Sequence, residues 1–158
     1  MIERRTFVAR LAGLVALGLA GSRLWADLPR LPGKPTPITV YKSSSCECCA
    51  KWVDHLRASG FTPVVHDEEN MDSLKDEMGV PRAVRSCHTA MVEKYLIEGH
   101  VPASDIRQLL LERPKTAGLA VPGMPARAYG MAAPGVEVGG YETVAFQLDG
   151  ATRVFARH

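Results

Sequence analysis

Residues 38–67 read ITVYKSSSCECCAKWVDHLRASGFTPVVHD, and this stretch decides the fold class. The β-branched and aromatic run that begins it, residues 38–44, predicts a strand. The amphipathic segment 48–60 predicts a helix that ends at its glycine. FTPVVHD at 61–67 predicts a second strand. A strand–helix–strand unit of this length predicts two parallel strands with a right-handed connection.

The following residues continue the alternation of strands and helices. Residues 71–78 predict a short helix, and 89–92 with 95–99 predict a hairpin. Pro102 opens a further helix, which stops at Pro114. The order is strand, helix, strand, helix, two strands, helix. We therefore expect an α/β protein with a single thioredoxin-like domain.

The last quarter of the chain has a different character. Residues 114–141 are rich in glycine and proline, and we assign them no regular structure. TVAFQLDG (143–150) and TRVFARH (152–158) predict a hairpin that closes the domain.

The first 26 residues predict export. A basic start precedes an apolar run that is too short to cross a bilayer, which is typical of a signal peptide. Arg4 and Arg5 resemble a twin-arginine signal. The proline-rich segment 27–37 predicts a linker, and residues 38–158 then form the domain. Export predicts that this domain is located in the periplasm.

Charge argues against several classes of partner. Without residues 1–26, Lys+Arg falls from 19 to 15 and Asp+Glu from 17 to 16, so the net charge becomes −1. A nearly neutral surface gives no electrostatic basis for binding nucleic acid or, after signal cleavage, an anionic membrane. No Ser-His-Asp grouping or phosphate-binding loop is visible in the sequence, so we expect no catalytic residues of those kinds.

The four cysteines are the main candidates for chemistry. Cys46, Cys48 and Cys49 lie where the first strand meets the first helix, and Cys87 precedes the third predicted strand. In a thioredoxin-like order these two loops are adjacent, so we expect the thiols to share one pocket. The start of the helix is expected to lower thiol pKa values.

Cysteine spacing leaves four readings open. Cys46 and Cys49 have the two-residue spacing of a redox pair, and only this pair, or one of the three motif cysteines with Cys87, forms a disulfide without strain. A zinc site usually takes two cysteines from each of two loops, whereas this chain offers three and one. Adjacent thiolates can bridge several Cu(I) ions, so the spacing favours copper over redox, zinc or structural disulfide roles.

Three stretches resemble one known family. YKSSSCECCAKWVDHLRASGF (41–61), SCHTAMVEKYLIEGHVPASDI (86–106) and GLAVPGMP (118–125) resemble the CopG-type periplasmic copper-resistance proteins, over roughly residues 38–158. The resemblance implies a thioredoxin-like fold and a thiolate-bridged, multinuclear Cu(I) cluster. Its implied ligands are Cys46, Cys48, Cys49 and Cys87.

Other soft or imidazole ligands form a second tier of candidates. His88, Met124 and Met131 are candidate copper contacts, although His88 is expected to point away from the sulfur of Cys87. His100 is expected to have a capping or packing role.

The sequence thus predicts an exported Cu(I)-binding protein for copper resistance, storage or transfer. Copper ions and other periplasmic copper-handling proteins are its expected partners. The alternative is a periplasmic thiol–disulfide or copper-linked oxidoreductase, with Cys46 or Cys49 as the attacking thiol.

Overall fold

The computed structural model describes residues 35–158. The predicted signal peptide and residues 27–34 of the predicted linker lie outside the described residues. The strands and helices are β1 (Thr36–Lys42), α1 (Glu47–Ala58), β2 (Phe61–Asp67), α2 (Met71–Glu77), β3 (Thr89–Val92), β4 (Tyr95–Glu98), α3 (Ala103–Glu112), β5 (Gly118–Ala120), β6 (Glu142–Phe146) and β7 (Thr152–Arg157), with a 3₁₀ turn at Arg82–Val84.

One mixed sheet contains all seven of these strands, in the order β2-β1-β3-β4-β5-β6-β7. β1 and β2 are parallel, as predicted, with Val40 opposite Val65. β3 runs antiparallel to β1 and forms the predicted hairpin with β4. The mixed α/β class is therefore confirmed, while the thioredoxin-like assignment stays a prediction.

The C-terminal part of the sheet differs from expectation at one strand. β6 and β7 form the predicted closing hairpin. The assignment of no regular structure to 114–141 is wrong at β5, which pairs with β4 on one side and β6 on the other. A Cβ at Gly118 would lie 1.9 Å from the carbonyl oxygen of Leu96, so only glycine fits there.

The main core lies between the sheet and two helices, α1 and α3. α1 contributes Trp52 and Leu56 and α3 contributes Ile106 and Leu109, all fully buried. The Trp52 indole N–H donates to the carbonyl of Val101 at 2.8 Å, which satisfies its one polar group. Within residues 35–158, no helix combines the length and the hydropathy needed to cross a membrane.

Candidate metal centre

Three of the four cysteines are placed by the first turn of α1. Cys46 is the N-cap residue of the helix, and Cys48 and Cys49 lie in its first turn. Cys49 is fully buried, whereas Cys46 and Cys48 are partly exposed. One helical turn therefore presents three sulfur atoms at the end of β1.

Sheet pairing brings the fourth cysteine to the same place. Tyr41 lies opposite Thr89 in the antiparallel pair of β1 and β3, so the end of β1 is beside the start of β3. Cys87 precedes β3 by two residues. The Sγ atoms of the four cysteines lie within 4.8 Å of one another. The structure thus brings all four predicted ligands together, and their binding of copper stays a prediction.

Two of the four thiols are joined in this structure. Cys46 and Cys49 form a disulfide with Cα atoms 5.3 Å apart, which is one of the pairings that the sequence allowed without strain. Cys48 and Cys87 are free, and Sγ of Cys48 lies 3.5 Å from Sγ of Cys46. The site can therefore offer two thiols in its oxidised form and four after a two-electron reduction.

Two buried histidines contact the sulfur of Cys87. Nδ1 of His88 lies 3.3 Å from this Sγ and Nε2 of His100 lies 3.1 Å from it. Both imidazoles are fully buried. The expectation that His88 points away from the cysteine is wrong. Its ring packs against Trp52, with centroids 4.3 Å apart, while Nδ1 faces the sulfur.

Burial sets the protonation of these groups. It raises the pKa of the Cys87 thiol to about 12, and Cys48 adds to the rise, so the expected lowering of thiol pKa values does not hold for Cys87. Burial also lowers the pKa of His100 and, by more, that of His88, so both imidazoles are neutral at pH 7. A metal ion at Cys87 would displace its proton, because coordinated thiols ionise outright.

A buried ion pair supports the loop that carries Cys87. Nζ of Lys75 lies 2.5 Å from Oε1 of Glu98, and both side chains are at most 3% exposed. Glu98 also accepts from the Ser86 backbone N–H at 2.7 Å and from the Thr89 hydroxyl at 2.6 Å. Despite these contacts, burial raises the pKa of Glu98. The carboxylate thus anchors the residues on both sides of Cys87 and His88.

The glycine-rich loop after β5 closes over the same site. The carbonyl of Tyr129 lies 2.6 Å from Nδ1 of His100. Gly130 follows with φ of 84°, and a Cβ there would lie 2.6 Å from the carbonyl oxygen of Cys48. Met131 is partly buried against the main core and Met124 is 59% exposed. A role for either methionine in binding copper stays a prediction.

The contact between His100 and Cys87 was not predicted from the sequence, which indicated a capping or packing role for His100. β3 and β4 pair with Thr89 opposite Glu98, so the same register places Cys87 opposite His100. The register follows from the hairpin's two-residue turn, and the predicted strands 89–92 and 95–99 already left two residues between them for this turn. Extending that register by two residues on each strand would have found His100.

Comparisons with known proteins agree with this arrangement. The family model described as a protein of unknown function, DUF411, matches residues 84–131, which include Cys87, His88 and His100. Two solved structures, titled copper resistance protein copG Form 1 and Form 2, are each 38% identical with a TM-score of 0.72. The match covers 79% of this chain, 99% of Form 2 and 98% of Form 1. No curated protein matches the chain.

A sequence identity of 38% over nearly the whole length of the solved chains is higher than a common fold alone would require. The four cysteines that carried the resemblance in sequence also meet at one point of the structure. The chain belongs to the CopG family of copper resistance proteins.

Proposed function

We propose that this protein binds Cu(I) through the thiolates of four cysteines, as a cluster in which sulfur atoms bridge several ions. The ligands are Cys46, Cys48, Cys49 and Cys87. The observation that carries the proposal is the approach of their sulfur atoms to within 4.8 Å of one another. Metal–sulfur bonds of about 2.3 Å place two sulfurs on one ion at most about 4.6 Å apart. These sulfurs therefore need to move little to share ions.

The type of ligand supports copper as the cargo. Thiolates select soft ions such as Cu(I), and the solved relatives are titled copper resistance proteins. Cys48 and Cys49 are neighbours on one helical turn, which makes chelation of a single tetrahedral ion by all four residues difficult. Bridging between ions removes this difficulty, because each sulfur then contacts a different pair of ions.

Loading with copper requires the reduced protein. The Cys46–Cys49 disulfide has to accept two electrons, which gives two thiolates, before all four sulfurs can act as ligands. Bound Cu(I) would then hold the thiolates against oxidation. An exported protein of this kind would take up excess copper in the periplasm, for storage or for transfer to other copper-handling proteins, and so confer resistance.

The test is an anaerobic Cu(I) titration of the reduced protein, with copper per chain counted by native mass spectrometry. We expect more than one copper per chain, and loss of most of it in Cys87→Ser. Ser45→Ala changes an exposed side chain of the same loop and should leave the count unchanged. Binding of at most one copper, or an unchanged count in Cys87→Ser, would contradict the cluster.

The Cys46–Cys49 disulfide itself favours a second candidate, a thiol–disulfide oxidoreductase. The pair lies at the start of α1, where the helix dipole favours a thiolate. Such an enzyme needs one attacking and one resolving thiol. It should retain disulfide exchange in the double variant Cys48→Ser/Cys87→Ser, whereas a four-thiolate copper cluster would be lost in the same protein.

A further inference from the structure

The site contains a disulfide and two free thiols in close contact. Sγ of Cys48 lies 3.5 Å from Sγ of Cys46, so a free thiol touches one sulfur of the Cys46–Cys49 disulfide. Sγ of Cys87 lies within 4.8 Å of these sulfurs. From this grouping we propose that the disulfide moves within the chain to a second redox pair, Cys48–Cys87. The transfer is an internal thiol–disulfide exchange in two steps.

The contact between Cys48 and Cys46 permits the first exchange. A thiolate breaks a disulfide by attacking one of its sulfurs and forming a mixed disulfide. Cys48 attacks the sulfur of Cys46 as its thiolate, a Cys46–Cys48 bond forms, and the Cys46–Cys49 bond breaks. Cys49 leaves as a thiolate and takes up the proton that Cys48 gave up. The intermediate joins residues only two apart in the sequence, a spacing that strains a disulfide and leaves it open to further attack.

Cys87 completes the transfer. Its thiolate attacks the sulfur of Cys48, so that a Cys48–Cys87 bond forms and Cys46 leaves as a thiolate. Nε2 of His100 lies 3.1 Å from Sγ of Cys87 and accepts the thiol proton, which then passes to Cys46. His100 is oriented for this role, because its Nδ1 faces the carbonyl oxygen of Tyr129 at 2.6 Å and therefore carries the proton of the neutral ring. A nucleophile, a base in contact with it and a third group that orients the base are the usual parts of an activated thiol.

The new bond requires only a limited movement of the two side chains. The sulfurs of a disulfide are about 2.0 Å apart, so those of Cys48 and Cys87 have to approach by less than about 3 Å. Rotation between staggered conformers moves a sulfur atom over distances of this kind. Both residues are partly exposed, which gives their sulfurs room to move. The moved disulfide would tie the first turn of α1 to the loop before β3, whereas the Cys46–Cys49 bond stays within one helical turn.

The exchange depends neither on copper nor on an external oxidant. One disulfide and two thiols are present before and after the transfer, so no electron and no proton is gained or lost. The test therefore uses the metal-free protein with one disulfide per chain, under anaerobic conditions. Its failure would leave the proposed copper cluster untouched, because that cluster forms on the reduced protein, which has no disulfide to move.

Peptide mapping distinguishes the two positions of the disulfide. Trypsin yields one peptide with the three clustered cysteines, residues 43–51, and another with Cys87, residues 86–94. Free thiols are first blocked with N-ethylmaleimide, and monomeric chains are separated from dimers before digestion. The Cys46–Cys49 disulfide leaves these peptides separate, whereas the moved disulfide links them. We expect linked peptides in wild type, with the two blocked thiols at Cys46 and Cys49.

Two variants test the role of Cys48 in the transfer. Cys48→Ser removes the sulfur that carries the bond, so most of the linked peptide should be lost. Ser45→Ala changes an exposed side chain of the same loop and should give the wild-type fraction of linked peptide. Absence of linked peptide from wild-type monomers, or an unchanged fraction in Cys48→Ser, would overturn the proposal.

The double variant Cys46→Ser/Cys49→Ser isolates the second pair. Oxidised glutathione, a small-molecule disulfide, should form a mixed disulfide with Cys48, which Cys87 then resolves. Each chain should consume one glutathione disulfide, release two glutathione thiols and become lighter by two hydrogens in intact mass spectrometry. A lasting glutathione adduct, or disulfide-linked dimers in place of the internal bond, would show that Cys48 and Cys87 cannot pair and would refute the transfer.

Discussion

Replacing Lys75 with methionine should destabilise the fold by about 3–5 kcal/mol, because the Glu98 carboxylate then stays buried without its counter-charge. The two groups lie 2.5 Å apart, with side chains 3% and 0% exposed, so solvent screens neither of them. The Ser86 amide and the Thr89 hydroxyl would still donate to Glu98, but they are neutral. A loss of this size is a large part of the 5–15 kcal/mol that stabilises a typical domain.

A double-mutant cycle isolates the ion pair. Glu98→Gln leaves the Lys75 ammonium buried without a counter-charge, with only neutral acceptors such as the Thr89 hydroxyl, so this single change should cost a similar amount. The double variant Lys75→Met/Glu98→Gln buries no unpaired charge. Its loss should therefore be smaller than the sum of the single losses, by about 2 kcal/mol or more.

Urea unfolding followed by circular dichroism measures these free energies. Arg57→Met is a matched control, because it breaks an ion pair with Asp54 whose side chains are 54% and 72% exposed. That change should cost less than about 1 kcal/mol. A loss below about 1 kcal/mol in Lys75→Met, or strictly additive losses in the double variant, would refute the reasoning.

Two further predictions concern a buried hydroxyl and a glycine. The Tyr141 hydroxyl is buried with no hydrogen-bond partner among residues 35–158, so Tyr141→Phe should stabilise the fold by about 1 kcal/mol in urea unfolding. Tyr95→Phe is the contrasting variant, because it loses a 3.1 Å hydrogen bond to the carbonyl of Pro114 and should destabilise the fold by about 1 kcal/mol. Burial also raises the pKa of the Tyr141 hydroxyl above its unfolded value of about 10. The protonated hydroxyl therefore contributes stability that is present below about pH 10 and is lost as the pH rises further. Above that pH, the wild-type protein should lose more stability than Tyr141→Phe. Gly130→Ala should cost more than about 2 kcal/mol, because alanine is strained at φ of 84° and its Cβ meets the Cys48 carbonyl at 2.6 Å. Gly123→Ala has the same type of strain at φ of 68° but open space, so it should cost only about 1–2 kcal/mol, and equal losses at the two glycines would contradict the steric argument.

Local patterns predicted most of the fold correctly. The strand–helix–strand unit, both hairpins and α3 follow from periodicity within short windows, which reports the burial of one face of each element. β5 was missed because it has three residues and starts at a glycine, so its sequence carries no periodicity. Its hydrogen bonds come from β4 and β6, and pairing between distant segments leaves no local signal.

Some residues of the candidate site could be predicted from the sequence and others could not. Cys46, Cys48 and Cys49 are close in sequence, so any helix start brings their sulfur atoms together. Cys87 could be added only on the expectation that two loops are adjacent, and the β1–β3 pairing provides that contact. The buried ion pair of Lys75 and Glu98 was not predicted, because charged side chains are usually exposed and the sequence does not show which of them have a partner of opposite charge.

The sequence by itself determined the alternation of elements and a cysteine-rich motif suited to a soft metal ion, because both depend on spacing along a few residues. Only the tertiary structure decided what surrounds Cys87. Strand register placed His100 opposite it, the ring of His88 packs between it and Trp52, and the Tyr129 carbonyl lies 2.6 Å from Nδ1 of His100. The physical reason is that these contacts join residues on different elements, and their distances exist only once the sheet and the core have formed.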